Sequence, residues 1–329
     1  MAPPNGGGMR RICIIGCGSI GSLYAAHLAR IAEVHVFVRR PEHAARLNAK
    51  GLQVSGKHDF TAAVHASAVA AEIPSCDLGI LCTKATEVAA AIAPLALHFE
   101  HGAIISAQNG LGVEEIVAQR AHGWVIRGTT FMSGTRLDDR RVEYELDAPT
   151  WLGPYEVMGT PMALVRDAAE AIASSGLKAV ALEDARPAQW SKTIFNAAVN
   201  TVAALTELPH CAAFAAEQEF EDLGHLVHEL IAEGERVAAE AGVRLSENPW
   251  DMNCIGAQTD HPPSMLYDLR HHLPTEVEFL AGAIARAARD AGVPAPLHTA
   301  MYRLIRGREA SWRRVTPAAV SGPQQKANA

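Results

Sequence analysis

The sequence predicts an α/β fold, with a doubly wound parallel sheet in the N-terminal half followed by an all-α domain. Three observations carry that reading. In the first half, short apolar runs alternate with helical stretches, the order that lays helices on both faces of a parallel sheet. The first of those runs, Arg11–Ile15, passes directly into a glycine-rich turn at 16–21 that opens a helix. From Pro187 onward the strand signals fade and long Ala-rich helical stretches take over. A chain of 329 residues is long enough for two domains, each with its own core.

Each element has its own warrant. Arg11–Ile15 is a short apolar run bounded by glycine, the pattern of a strand buried on both faces. A helix is expected over 20–32 and a second strand over 34–38. Further strands are expected at 78–82, Ala103–Ser106 and Trp124–Thr130, with helices at 86–97 and 113–119 between them. Runs at 143–146 and 178–182 complete the domain and include antiparallel edge pieces. In the second half the helices are 187–206, about 217–241 and a broken segment over 264–291. Pro187 suits a first helical turn, and Gly242 and Gly292 follow amphipathic stretches as helix-ending glycines do. The domains are therefore 9–185 and 186–315, with 1–8 and 316–329 expected to be flexible tails and Met9 an alternative start.

Composition narrows the class of function. Hydrophobic residues are 49% and charged residues 20% of the chain, close to the globular average. A formal charge of −7 argues against nucleic acid or an anionic membrane as the main partner, without excluding a phosphorylated cofactor that responds to local charge. No apolar run is long enough to span a bilayer and the N-terminus has no secretory signal. The six cysteines, Cys13, Cys17, Cys76, Cys82, Cys211 and Cys254, form no CxxC pair, which fits reduced thiols in the cytoplasm. The histidines show no metal-ligand spacing, so no metal is expected.

The turn Gly16-Cys17-Gly18-Ser19-Ile20-Gly21 is a GxGxxG placed after a strand and before a helix. The first glycine permits the turn, the second lets the backbone approach a pyrophosphate, and the third lets the helix pack on the strand. That is the dinucleotide fingerprint of a Rossmann domain. The second strand runs into Arg39-Arg40, where NAD enzymes usually carry an acid for the ribose hydroxyl. The fork of Arg39 suits a 2′-phosphate, so the expected cofactor is NADPH/NADP. Lys84 and Asn109 each follow a strand, on the carboxyl edge where such sheets bind ligands.

Lys192, Asn196 and Asn200 are spaced i, i+4, i+8 on a largely apolar helix, so they line one face and suit a polar cleft. Ser264 opens the next informative stretch, and Glu276 follows the break at Pro274. On the residues alone, Glu276 serves equally well as a carboxylate stabilising a first helical turn.

With these motifs in order, the chain resembles the ketopantoate reductases (2-dehydropantoate 2-reductases). The matches are GCGSIG, the arginine after the second strand, Thr83-Lys84, QNGLG at 108–112, WSKTIFNAAVN at 190–200, and SMLYD with PTEVEFLAGAI within 264–284. The similarity covers about residues 10–310, and His261-Pro262-Pro263 departs from the family pattern, which often has asparagine three residues before the serine. The resemblance implies that Lys192 is the general acid on the ketone oxygen, supported by Asn109. It implies that Ser264 and Glu276 contact substrate and that Asn196 and Asn200 orient it. Gly16, Gly18, Gly21, Arg39 and Lys84 match the cofactor set, with Cys17, Ser19 and Ile20 completing the loop. Reduction of 2-dehydropantoate to (R)-pantoate, for pantothenate synthesis, is the expected activity of a cytoplasmic monomer or homodimer on a small 2-oxo acid. The alternatives are a family paralogue on another branched 2-oxo or 2-hydroxy acid, or a non-catalytic NADP-binding redox sensor. A sensor has no need of an acid catalyst, so Lys192 and Glu276 together weigh against it.

Overall fold

The computed structural model describes residues 9–208, 221–245, 247–253 and 263–312. The expectations for 1–8 and 316–329, for Cys211 and Cys254, and for His261 and Pro262 lie outside these residues, as does the start of the helix expected at 217.

The first half contains β1 (Arg11–Ile15), α1 (Ser19–Leu28), β2 (Glu33–Phe37), α2 (Pro41–Lys50), β3 (Leu52–Gly56), β4 (Phe60–Ala62), β5 (His65–Ser67) and β6 (Leu78–Leu81). It continues with α3 (Val88–Ile92), β7 (Ala103–Ser106), α4 (Val113–Ala118), β8 (Trp124–Thr130), β9 (Ser133–Arg136), β10 (Arg141–Leu146), β11 (Thr150–Pro154), α5 (Met162–Ser174) and β12 (Ala179–Ala181). Eight strands form the main sheet in the order β12-β11-β8-β7-β6-β1-β2-β5. All its pairings are parallel except that between β11 and β8. From β1 the chain builds outward through β2 to β5, then crosses back to β6 on the other side of β1. The strand order therefore reverses at β1/β6, and a crevice opens beyond the carboxyl ends of those two strands.

Alternation along β1 explains why the sheet is covered on both faces. Ile12 and Ile14 pack with Leu23, Tyr24 and Leu28 of α1, while Cys13 and Ile15 pack with Val88 and Ile92 of α3 and Val113 and Val117 of α4.

Three expectations are corrected. The run at 143–146 belongs to β10, which lies not in the main sheet but in a second, four-stranded one ordered β4-β3-β10-β9. Leu52, Val54, Val142 and Tyr144 alternate with less buried neighbours, so this small sheet buries one face over α1. The helix expected over 86–97 is broken into a 3₁₀ turn, the short α3, and a second 3₁₀ turn at Ala93–Leu95. Pro94 has no N–H to continue an α-helix. The helix expected to reach residue 32 stops at Leu28.

The second half consists of α6 (Arg186–Thr206), α7 (Glu221–Glu240), α8 (Pro249–Asn253), α9 (Ser264–Arg270), α10 (Ala281–Asp290) and α11 (Pro296–Ser311). Pro187 lies in the first turn of α6. Gly242 (φ +77°) and Gly292 (φ +71°) close α7 and α10. In both cases the glycine N–H and the next N–H bond back into the last turn, at 3.0 and 2.8 Å after α7 and at 3.1 and 2.9 Å after α10. Ile194, Ala198 and Val202 of α6 pack with Val227 and Ile231 of α7 and Ile284 of α10 in a separate core. Helix α6 is thus the buried axis of the helical half, and its first turns face the carboxyl edge of the sheet. Among the described residues no helix is long and apolar enough to cross a membrane.

Candidate active site

The glycine loop sits at the crevice where the strand order reverses. Gly16 has φ +92°, and a Cβ there would lie 2.7 Å from Thr83 Cγ2 on the loop after β6. A Cβ on Gly21 would lie 2.0 Å from the Gly16 carbonyl oxygen, so only glycine lets α1 rest on the turn. Gly18 differs from both. It is exposed, and a Cβ there would meet nothing within 4 Å, which leaves open space over the N-terminus of α1. Thr83 Oγ1 beside this loop is buried without a partner. A bare backbone, free helical N–H groups and an unused hydroxyl fit the phosphates of a dinucleotide. The loop side chains turn away from that space: Cys17 Sγ lies 3.3 Å from Ser22 Oγ, and Ser19 Oγ accepts the Arg136 N–H at 3.1 Å. Burial pushes the Cys17 thiol up to about 11, so it is inert at neutral pH. Ile20 packs partly buried against the sheet core.

Just past β2, the Arg39 side chain is 83% exposed, and its ion-pair partner among the described residues is the half-exposed Glu87, at 3.0 Å from Oε1. Arg40 is committed elsewhere, to Asp139, which Arg46 also holds at 2.9 Å.

The other expected residues converge across the cleft between the two halves. Lys84 follows β6, and its Nζ meets Asp268 Oδ1 of α9 at 2.5 Å. The next N–H, that of Ala85, donates to Glu276 Oε1 at 2.8 Å. Burial pushes the Glu276 carboxyl above the usual carboxylate range, against the opposing pull of the Ala85 N–H, the Lys84 ammonium and the Asn109 amide. Asn109 lies in the turn after β7. There Gly110 has φ +102°, and a Cβ on it would lie 2.3 Å from the Phe279 carbonyl oxygen. Leu111 N–H bonds to that same oxygen at 2.9 Å, so the turn is fitted closely to the segment following Glu276.

Lys192 is on the second turn of α6. Its Nζ donates to the Thr130 carbonyl at the end of β8 and lies 5.4 Å from the Phe131 ring centroid. Burial pulls its pKa down to about 8, even though the Glu276 carboxylate favours the cation. Asn196 is half-buried one turn on, and Asn200 is 5% exposed with its Oδ1 unpartnered. Ser264 is exposed at the first residue of α9.

Of the residues expected from sequence, Lys84, Asn109, Lys192 and Glu276 are brought together, and the glycine loop lies on the same edge of the sheet. Among the described residues, Asn196, Asn200 and Ser264 make no hydrogen bond or ion pair to this group. Asp268, one helical turn from Ser264, joins the cleft although nothing in its sequence spacing marks it. The Ala85 N–H and the Thr130 carbonyl also complete the cleft, and they are main-chain groups that no residue pattern marks. A half-buried cation, a half-buried carboxylate and an amide beside a dinucleotide crevice can protonate an oxygen on which charge develops.

The chain is similar to known proteins over most of its length. A 2-dehydropantoate 2-reductase of Pyrococcus abyssi is 29% identical over 304 residues, covering 91% of this chain and 98% of the relative. That of Vibrio cholerae is 26% identical over 311 residues, covering 92% and 98%. Among solved structures, a 2-dehydropantoate 2-reductase from Methylococcus capsulatus superposes with a TM-score of 0.78 at 28% identity, covering 94% of this chain and 99% of that one. A D-mandelate dehydrogenase with NADH and anilino(oxo)acetate reaches a TM-score of 0.82 at 21% identity over 92% and 99% of the two chains, a likeness of fold. The model of ketopantoate reductase PanE/ApbA matches residues 12–157, and the model of the C-terminal part of the same family matches 184–309. With both halves matched in order and the cleft residues between them, the chain belongs to the ketopantoate reductase family of NADP-dependent oxidoreductases acting on CH–OH groups.

Proposed function

We propose that this enzyme reduces 2-dehydropantoate (ketopantoate) to (R)-pantoate with NADPH, the step that serves pantothenate synthesis. The observation that carries the reading is the convergence of Lys192, Asn109 and Glu276 in one cleft, beside a loop built for a dinucleotide. When bound, NADPH supplies the hydride. Residues 9–185 hold it: the Gly16–Gly21 backbone with Cys17, Ser19 and Ile20 at the pyrophosphate, Arg39 at the 2′-phosphate, and Lys84 and Asn109 nearer the nicotinamide. The helical half from 186 onward supplies the substrate side. Lys192 Nζ gives a proton to the ketone oxygen as charge builds there, and Asn109 holds that region in place. Glu276 accepts a hydrogen bond from the substrate hydroxyl, and Asn196, Asn200 and Ser264 take the substrate carboxylate and orient it without adding charge. The Asn200 Oδ1, without a partner among the described residues, is an acceptor that a donor on the ligand, such as a hydroxyl, can satisfy. The four described cysteines are free, which supports the cytoplasm as the compartment.

A second reading, another branched 2-oxo or 2-hydroxy acid as substrate, is favoured by the altered His261-Pro262-Pro263 stretch. The test is loss of NADPH absorbance with ketopantoate and a panel of 2-oxo acids. The highest kcat/KM is expected for ketopantoate, and a clear preference for another acid gives the second reading.

A further inference from the structure

Lys192 and Asn109 come from different halves of the chain, so their separation must be set by something that ties α6 to the turn after β7. Gln189 lies one helical turn before Lys192 and is 3% exposed. Its amide nitrogen donates to the Gly110 carbonyl at 3.1 Å and to Glu114 Oε1 at 2.7 Å. Its amide oxygen accepts from Arg127 Nη1 at 2.6 Å. Glu114 and Arg127 are themselves buried and 3.4 Å apart, and Arg127 reaches Glu156 with its other terminal nitrogen at 3.2 Å. The amide thus bridges a buried ion pair and uses both of its N–H groups.

The consequence lies along β8. Arg127 is on that strand, three residues before Thr130, whose carbonyl seats the Lys192 ammonium. Helix α6 is therefore fixed to β8 at two points, Gln189 and Lys192, and to the Asn109 turn at a third. Burying charged groups at a contact is a poor way to gain adhesion, because apolar side chains of similar volume hold as well or better. What such a network adds is a single register, since a slide of α6 strands several charged hydrogen bonds at once.

We propose that Gln189 is a positioning residue for the reaction, holding α6 and the Lys192 ammonium in register with the Asn109 turn. The proposal rests on the reading of Lys192 as proton donor. The test compares wild type with Gln189→Met, which keeps length and helix propensity, and with Gln189→Asn, which keeps the amide but withdraws it by one methylene. In both variants Arg127 and Glu114 can still pair directly, so the fold is retained. Four quantities are read: kcat and KM for the keto acid, the dissociation constant for NADPH by fluorescence titration, and the pH at which kcat falls.

Expected is a loss of about 10- to 100-fold in kcat for Gln189→Met and a smaller loss for Gln189→Asn. NADPH affinity stays within about 2-fold, and the falling limb of the pH profile moves to higher pH as water reaches a loosened Lys192. Folded variants that keep wild-type kcat and pH limb overturn the positioning role. A kcat loss that comes with equally weakened NADPH binding and an unmoved limb overturns it too, because that pattern belongs to general destabilisation. A wild type that binds NADPH yet reduces no 2-oxo acid overturns the functional reading itself, and the proposal with it.

Discussion

A lysine that acts as an acid near neutral pH must be charged there and still release its proton readily. Burial brings Lys192 toward that balance by pulling its pKa down to about 8. The reduction needs the protonated form, so its rate should be level below pH 8 and fall about tenfold per unit above it. Lys192→Ala should lower kcat by roughly 100-fold or more while NADPH still binds, and should remove that limb. Near-normal turnover in the folded variant removes lysine from the mechanism. Arg39 offers a parallel test on the cofactor. Its partner among the described residues is an exposed glutamate, and such a pair is worth at most about 1 kcal/mol, so a 2′-phosphate can readily take over the guanidinium. Arg39→Ala should raise the KM for NADPH about tenfold or more and leave NADH nearly unchanged. Equal effects on both cofactors rule out the phosphate contact. The placement of these side chains was legible because helix spacing fixes a face and strand ends fix an edge. What completes the cleft was not: the Ala85 N–H and Thr130 carbonyl look the same in every sequence.

At the scale of elements, the glycine loop separates two jobs that one motif combines. Gly18 has φ −80° and ψ −162°, an extended conformation that alanine adopts, and a Cβ there would meet no protein atom within 4 Å. Gly18→Ala should therefore leave the melting temperature unchanged or slightly raised, by the ~0.4–1 kcal/mol that a less flexible unfolded chain contributes. Its NADPH affinity should fall at least about tenfold, because the new methyl fills the space left for phosphate. Gly21→Ala should do the reverse in order of severity. Its methyl would sit 2.0 Å from the Gly16 carbonyl oxygen, and lifting α1 off the strand should cost about 1–3 kcal/mol or more before any ligand is added. Thermal melts and titrations on the two variants check this, and equal destabilisation by both would contradict it. The strands flanking this loop were legible as continuous apolar runs. The second sheet was not, although Leu52 and Val54 alternate like a half-buried strand. Three-residue β4 leaves little periodicity to detect, and β3 takes its partner β10 from about 90 residues away. Helix α5, absent from the expected elements, does carry a readable stripe in Leu164, Val165, Ala168, Ala169 and Ile172.

At the scale of the whole molecule, the two compositional halves were plain from the change at Pro187, but the way they meet was not. The contacts across the cleft join residues far apart in sequence: Lys84 with Asp268, 184 positions on, and Ala85 with Glu276, 191 positions on. Local patterns cannot report such pairs, and before the fold was known Glu276 was as readable as a helix-start carboxylate. It is instead held by the main chain of the opposite half, in a buried place where its carboxyl is pushed up by loss of water. A group so placed is suited to one hydrogen bond from a substrate that enters between the halves. If ketopantoate is that substrate, its hydroxyl should be the donor. Glu276→Ala should then cost ketopantoate more kcat/KM than the analogue lacking the hydroxyl, by about 1–3 kcal/mol for a buried polar group left unpaired. The substitution also strands the Ala85 N–H, but that cost falls on both substrates and cancels in the ratio. Equal losses would make Glu276 a brace between the halves and nothing more. A wild type that already prefers the analogue would turn attention to the His261-Pro262-Pro263 stretch, where the sequence departs from the family just before Ser264.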